Sequence, residues 1–304
     1  MSGLVVCALA AMGAARVAAA EDGQEAAVDL EPLRLDEIPA RLYALPRGVA
    51  AADAQPAVAA TIAGRRVLFF DVDGNGRFGD AGTDGWRIED DAYRFVVPVE
   101  DAIVIGSRRA WLRFDADGPR VHVRIEEAAW PAAPEGATKS LQKIFRRGRE
   151  PAVVGLEIWN DLRLRNGLPP VHLGAEETRA CLLHAAYMLR WGTTHDQDPE
   201  REGATVEGRR AGASGCVGSK RVPAEIRDVY ATFYHRISLF HPATRGAGIG
   251  DAGGSTVLNG TLDRVDRPWQ WPVAIPADGT TDVPRAFVDE SPQAHEDLRR
   301  DGTI

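Results

Sequence analysis

The apolar residues of this chain change their spacing once. Up to about residue 127 they alternate or form short runs, and from about residue 151 they recur at three- and four-residue steps. A period of two belongs to a strand with one buried face, and a period of 3.6 to an amphipathic helix, so one uniform architecture is excluded. Strand candidates in the first stretch are 66–70, 93–97, 102–105, 110–114 and 121–125. In the last of these Val121, Val123 and Ile125 share a face, with His122 and Arg124 on the other. Asp115-Ala-Asp-Gly118 predicts a hairpin between the final pair. Residues 21–127 therefore read as a small antiparallel β-rich domain, entered through a leader with closely spaced prolines and short strands.

Residues 128–150 carry Pro131, Pro134, Gly136 and then a basic run from Lys143 to Arg149, a composition that predicts a linker. Beyond it Val153, Leu156, Trp159 and Leu162 mark a first helix, stopped by Asn166-Gly167 and Pro169-Pro170. Glu176 and Glu177 open a second helix, which runs to Gly192, because the helix dipole favours acids in the first turn. Pro223 suits the first position of a third, striped by Ile226, Tyr230, Phe233 and Ile237. After Gly250 strands and turns resume through Trp269 to Val273. Gly246-Ala-Gly-Ile-Gly250 imitates a dinucleotide loop, but it follows a helix and leads into strands, the reverse of a phosphate-cradling turn.

With 44% hydrophobic and 26% charged residues over 304 positions, the chain has an ordinary globular composition. Its net charge of −8 argues against a nucleic-acid partner, which requires a basic face. Residues 1–20 read as a signal peptide: an apolar run from Gly3 to Ala15, then Ala18-Ala19-Ala20 before Glu21-Asp22. That run is too short to span a membrane, and the expected location is secreted or periplasmic. Export would leave Cys181 and Cys216, either as one disulfide or as two buried thiols. No C-x-x-C pair offers a cysteine metal site.

Asp71-Val-Asp73-Gly-Asn75-Gly76-Arg77-Phe78 places side-chain oxygens at alternate positions on a tight turn. That pattern suits calcium, a hard cation that takes six to eight oxygens, with Arg77 giving a backbone carbonyl. Gly82 stands where a helix-flanked calcium loop has its closing Glu, leaving Asp80 or Asp84 to supply that carboxylate. The competing expectation is a turn whose carboxylates satisfy their own backbone.

In the second half His195, Glu207 and His235 occupy positions that packing does not demand. His235 falls about 180° from the apolar stripe if the third helix continues to residue 237. Two imidazoles and a carboxylate suit zinc with a water as fourth ligand, or an acid/base pair. The spacings are long for a compact zinc motif, which leaves surface polar residues as the simpler account. His184, inside the second helix, reads as a hydrogen-bonded packing residue, and His241 as a turn residue.

Asn160-Asp-Leu-Arg163, Gly167-Leu-Pro-Pro-Val171, His184-Ala-Ala-Tyr-Met188, Thr205-Val-Glu-Gly208, Tyr234-His-Arg236, Leu239-Phe-His-Pro242 and Gly248-Ile-Gly250 follow one another in a familiar order. With Trp271-Pro, Pro276-Ala-Asp-Gly279 and Asp282-Val-Pro284, they resemble the bacterial branch of the CAP superfamily: cysteine-rich secretory proteins, antigen 5 and pathogenesis-related 1. The resemblance covers about residues 150–292, leaving 293–304 as a tail. It implies an α+β chain in which an α-β-α sandwich follows the β domain. It also implies a broad cleft with two histidines and two glutamates, where some members bind zinc or another divalent cation. His195 and His235 match the histidines, and Glu207 matches the first glutamate, although Gly208 follows where the family has Asn. Glu225 lies nearest to the second glutamate.

Three functions follow as expectations. The first is a secreted module that binds an extracellular ligand or polymer in the cleft. The second is a divalent-metal-dependent extracellular hydrolase, with Glu207 as base for a water held by His195 and His235. The third is a calcium-dependent surface protein whose β domain does the binding. No activated nucleophile is visible, which favours the first.

Overall fold

The structure is a computed structural model that describes residues 23–33, 57–89, 96–116, 120–232, 235–236 and 239–262. The signal peptide, most of the candidate strand at 93–97, Trp269 to Val273 and the tail fall outside these residues. The first half contains β1 (Glu25–Asp29), β2 (Glu31–Leu33), β3 (Ala57–Ile62), β4 (Arg65–Phe70), β5 (Gly85–Ile88), β6 (Val97–Pro98), β7 (Ala102–Ile105), β8 (Arg108–Phe114) and β9 (Arg120–Glu127). They form two antiparallel sheets, ordered β1-β9-β8-β7 and β2-β3-β4-β5-β6.

Alternation decides what the sheets bury. Val121, Val123 and Ile125 of one sheet meet Val58, Val67, Phe69 and Trp86 of the other in a single core, while His122 and Arg124 stay on the outer face. Phe69 and Phe114 cross edge to face at 5.1 Å between ring centres. Ala63 and Gly64 join β3 to β4 with φ of 51° and 77°, the two positive values that a tight hairpin matched to strand twist requires.

The second half continues with α1 (Lys139–Arg147), α2 (Arg149–Arg165), β10 (His172–Leu173), α3 (Ala175–Trp191), α4 (Val206–Ser214), β11 (Cys216–Gly218), α5 (Val222–Ala231), β12 (Thr244–Asp251) and β13 (Thr256–Leu262). The expected linker is thus half helix. The side chain of Thr138 caps α1 by accepting from the Leu141 N–H, and Phe145 is buried against Leu182 and Leu183. Trp130 donates its ring N–H to the Phe145 carbonyl at 2.9 Å, so the proline-rich approach is pinned as well.

A four-stranded sheet, ordered β10-β12-β13-β11, lies between two helical layers. Ile249 and Leu258 pair across β12 and β13 and point to α2 and α5, where Leu156, Trp159, Ile226 and Tyr230 complete the core. Gly250 and Val257 pair on the opposite face, toward α3 and α4. The α-β-α sandwich implied by the family resemblance is therefore present, and the chain is α+β.

The glycine-rich stretch of β12 has a packing explanation. A Cβ on Gly248 would stand 2.9 Å from Cys181 Sγ, and one on Gly250 would stand 2.4 Å from the Cys181 carbonyl carbon. Bare backbone lets α3 lie directly on the strand. Cys181 and Cys216 are both buried and unbridged. They belong to cores on opposite faces of the sheet, which settles the alternative in favour of two thiols.

Two polar residues of α2 organise the connections around this core. Asn160 donates to the Val171 carbonyl at 2.9 Å and accepts the Val171 N–H at 2.7 Å, holding the proline turn. Arg163, fully buried, donates to the carbonyls of Pro169, Leu239, His241 and Thr244. Burial pushes its guanidinium down to about 9, which still leaves it charged at neutral pH. Arg245 reaches from β12 to Glu100 at 2.5 Å, and Leu164 packs against the β core, so the two halves touch. No helix among the described residues is long and apolar enough to cross a membrane.

Candidate functional site

Helices α3 and α4 touch through glycine. A Cβ on Gly212 would fall 2.2 Å from the His184 ring, and one on Gly208 would fall 2.6 Å from Gln197 Nε2. Four residues apart, the two share one helix face, so α4 can settle over the imidazole. His184 is fully buried, and its two ring nitrogens have different partners. Nε2 lies 2.8 Å from the Thr194 carbonyl and Nδ1 3.0 Å from Gln197 Nε2. A carbonyl only accepts and an amide nitrogen only donates, so the ring is neutral, with its proton on Nε2. Burial holds its pKa below the usual histidine value.

The same network fixes the segment between α3 and α4. Gln197 Oε1 accepts the Thr205 N–H at 2.7 Å, and the Tyr187 hydroxyl accepts the Asp198 N–H at 3.0 Å. Trp191 donates to the Glu202 carbonyl at 3.0 Å. His184, Tyr187 and Trp191 follow helical spacing along α3 and together hold this segment in place.

The predicted cleft residues lie in different places. His195 is on the held segment, with Nδ1 3.0 Å from the Gly212 carbonyl. Glu207 sits in the first turn of α4 and pairs with Arg179 of α3 at 3.4 Å. Glu225, in the first turn of α5, is buried and packed on Gly218, where a Cβ would come within 1.9 Å of its carboxyl carbon. Its Oε2 accepts the Lys220 N–H at 3.4 Å, and burial raises its pKa.

Helix α5 ends at Ala231 with Thr232 as its cap, so His235 lies beyond the helix on which its orientation was reasoned. Its Nδ1 is 3.2 Å from the Thr232 hydroxyl. His195 is thus anchored in the α3/α4 layer and His235 at the end of the α2/α5 layer. Among the described residues, no three of His195, Glu207, Glu225 and His235 bring ligand atoms within 4.8 Å of one another.

What α3, α4 and β13 do enclose is an open groove of about 940 Å³. Glu176, Glu177 and Arg179 line one wall, Glu207, Arg210 and Ser214 another, and Asn259 and Thr261 the floor. His241, expected as a turn residue, borders the groove, and its Nδ1 accepts the Ala243 N–H at 3.1 Å. Asn259 donates to the Ser214 hydroxyl at 3.0 Å, joining strand and helix across the floor. Of the four predicted cleft residues only Glu207 lines this groove. Arg179 and Arg210 belong to no motif; the one signal in the sequence is that each lies three residues after an acid of its own helix, Glu176 and Glu207.

The aspartate-rich loop joins β4 to β5, so strands flank it on both sides. Asp71 Oδ1 accepts from Gly74 N at 2.7 Å and Asn75 N at 3.2 Å, and Oδ2 accepts from Gly76 N at 2.8 Å. Asp84 is fully buried and accepts from Val72 N at 3.1 Å and Asp80 N at 2.8 Å. Asn75 Nδ2 donates to Asp73 at 3.1 Å and to Asp80 at 2.5 Å. Oxygens of Asp71, Asp73 and Asp84 lie within 4.8 Å of one another. Burial pushes the Asp84 pKa up to about 6, and the charges of Asp71 and Asp73 add to the rise. Asp80 meets the cluster through Asn75.

Comparison with known proteins yields no matching family model and no curated relative. Among solved structures, an extracellular protein containing an SCP domain from Bacillus anthracis shares 12% identity at a TM-score of 0.34, over 69% of this chain and 82% of that one. A cysteine-rich secretory protein from Staphylococcus aureus shares 13% identity at a TM-score of 0.30, over 68% of this chain and 80% of that one.

Proposed function

We propose that this chain is an extracytoplasmic CAP-like binding module whose ligand occupies the groove between α3, α4 and β13. The groove itself carries this reading: about 940 Å³ of open space with both signs of charge on its walls. Its volume falls in the range of roughly 300–1,000 Å³ usual for sites that take a specific ligand. Glu207 and Arg179 pair across it, while Arg210 has no ion pair among the described residues. Such a wall suits a peptide or polymer segment that brings its own carboxylates and amide or hydroxyl donors.

Binding is preferred to hydrolysis because the groups suited to acid/base work are engaged. Glu207 is held by Arg179, and both nitrogens of His184 are occupied by neutral hydrogen bonds. Cys181 is no nucleophile, since burial drives its thiol pKa upward. The test is an array of extracellular peptides and glycans probed with the purified protein and with Ala180→Trp, which fills the groove from α3. Binding that the tryptophan abolishes, with the fold retained, supports the reading; equal binding by both proteins contradicts it.

A second reading concerns the β domain, in which the β4–β5 loop holds calcium. It is favoured by the proximity of Asp71, Asp73 and Asp84, three carboxylates whose mutual repulsion a divalent cation would offset. Asn75, Asp80 and the Arg77 carbonyl are the remaining oxygen donors on the loop. A calcium-dependent rise in melting temperature that Asp73→Ala removes would support it; no rise in the unaltered protein would refute it.

A further inference from the structure

Helix α1 is amphipathic, and four of its six exposed residues are cationic, the other two being Ser140 and Gln142. Leu141, Ile144 and Phe145 turn toward the core, Phe145 being buried. Lys139, Lys143, Arg146 and Arg147 are exposed and lie within an arc of about 100° on the opposite side, at 100° per residue. Arg149, also exposed, follows the Gly148 junction at the start of α2. None of these five side chains has an ion pair or hydrogen bond among the described residues, in a chain whose net charge is −8. The acid within the run is Glu150, in the first turn of α2. Arg146 and Arg147 complement the dipole of α1, but Lys139 at its start opposes it, so helix stability alone does not account for the pattern.

We propose that this stripe docks a linear, base-free polyphosphate-type polyanion. Three guanidiniums offer the forked donors that match phosphate oxygens, and a nine-residue helix gives a track of about 14 Å at 1.5 Å per residue. A thread can follow the track without meeting the acidic remainder of the surface. A flat anionic membrane would meet that remainder, and the apolar residues of α1 are engaged in the core and cannot insert. Single-stranded nucleic acid is disfavoured because its binding relies on aromatic stacking, and the exposed residues of 139–150 include no aromatic ring. The stripe is separate from the α3/α4 groove, so groove-filling and stripe variants fail independently.

The test uses end-labelled inorganic polyphosphate of about one hundred units and fluorescence anisotropy between 50 and 200 mM salt. Four to five neutralised phosphates predict a log–log salt slope of about −3, at roughly −0.7 per contact. Lys143→Glu with Arg147→Glu should weaken binding at least tenfold and flatten the slope. Lys143→Arg with Arg147→Lys should retain binding, as should Arg209→Glu on α4. Circular dichroism and melting confirm that each variant is folded. No binding at 50 mM salt, or undiminished binding by the double reversal, overturns the proposal. Equal capture by single-stranded DNA or by vesicles with one third anionic lipid overturns it in favour of those partners.

Discussion

Replacing Gly250 by alanine should destabilise the protein, although the same change in an open strand usually stabilises it. In open space the gain is about 0.4–1 kcal/mol, because alanine narrows the unfolded ensemble. Here the new methyl would stand 2.4 Å from Cys181 C, 2.5 Å from Cys181 O and 2.6 Å from Leu182 N. All three are backbone atoms of α3, so no side-chain rotation relieves the clash, and the helix itself must lift from the sheet. Overpacking of this kind costs about 1–3 kcal/mol, and a rigid obstacle places this site at the upper end.

The neighbouring glycines supply a graded control. At Gly248 the contacts are 2.9 Å and include the Cys181 thiol, while at Gly246 they are 3.2 Å or longer and start with the Thr261 side chain. The expected order of destabilisation is therefore Gly250→Ala, then Gly248→Ala, then Gly246→Ala. Urea unfolding followed by far-ultraviolet circular dichroism measures it, with unchanged m-values confirming that the folded and unfolded states remain comparable. A Gly250→Ala protein as stable as the parent, or an inverted order, would refute the direct seating of α3 on β12.

The other predictions concern polar networks. Arg163→Met should cost roughly 3 kcal/mol or more by leaving several buried carbonyls unpaired, and Arg163→Lys should rescue little, since an ammonium cannot reproduce the fork; thermal melts read both. His184 has a folded pKa below its free value, so the unfolded chain takes up the proton first. Its contribution is full above about pH 6.5 and is lost as pH falls below that. His184→Gln should flatten this dependence, and amide exchange of residues 194–205 should accelerate in acid only in the parent. Asp71→Ala should loosen the β4–β5 loop even without calcium, by about 1–3 kcal/mol, because the Gly74 and Gly76 N–H groups lose their acceptor and Asn75 N–H keeps only Asp73. Asp73→Ala should be nearly silent until calcium is added.

The parts of this fold legible in the sequence are those set by periodicity. Val121, Val123 and Ile125 face the core as their alternation requires, and Leu156 and Trp159 are buried along the predicted stripe of α2. Buried polar residues were not legible in the same way. Asn160 and Arg163 look solvent-facing by residue type, and their burial depends on carbonyls supplied by distant loops, whereas His184 is the hydrogen-bonded packing residue its place inside the helix suggests. The same locality explains the errors. The glycine and prolines of 128–150 suggested a linker, yet Phe145 finds its partners on α3, far along the chain. The apolar stripe through Phe233 and Ile237, which lie outside the described residues, suggests a longer α5, but the helix is capped at Thr232 and His235 lies beyond it. The groove was invisible for a related reason, because its walls come from three elements brought together by glycine contacts that no spacing rule encodes.

The most direct test of a ligand groove between α3, α4 and β13 is nuclear magnetic resonance mapping of amide shifts. A ligand selected from the peptide and glycan array would be titrated into labelled protein. Shifts concentrated at residues 176–180, 207–214 and 259–261 are the predicted result. Shifts centred instead on the β domain, or confined to His195 and His235, would contradict it.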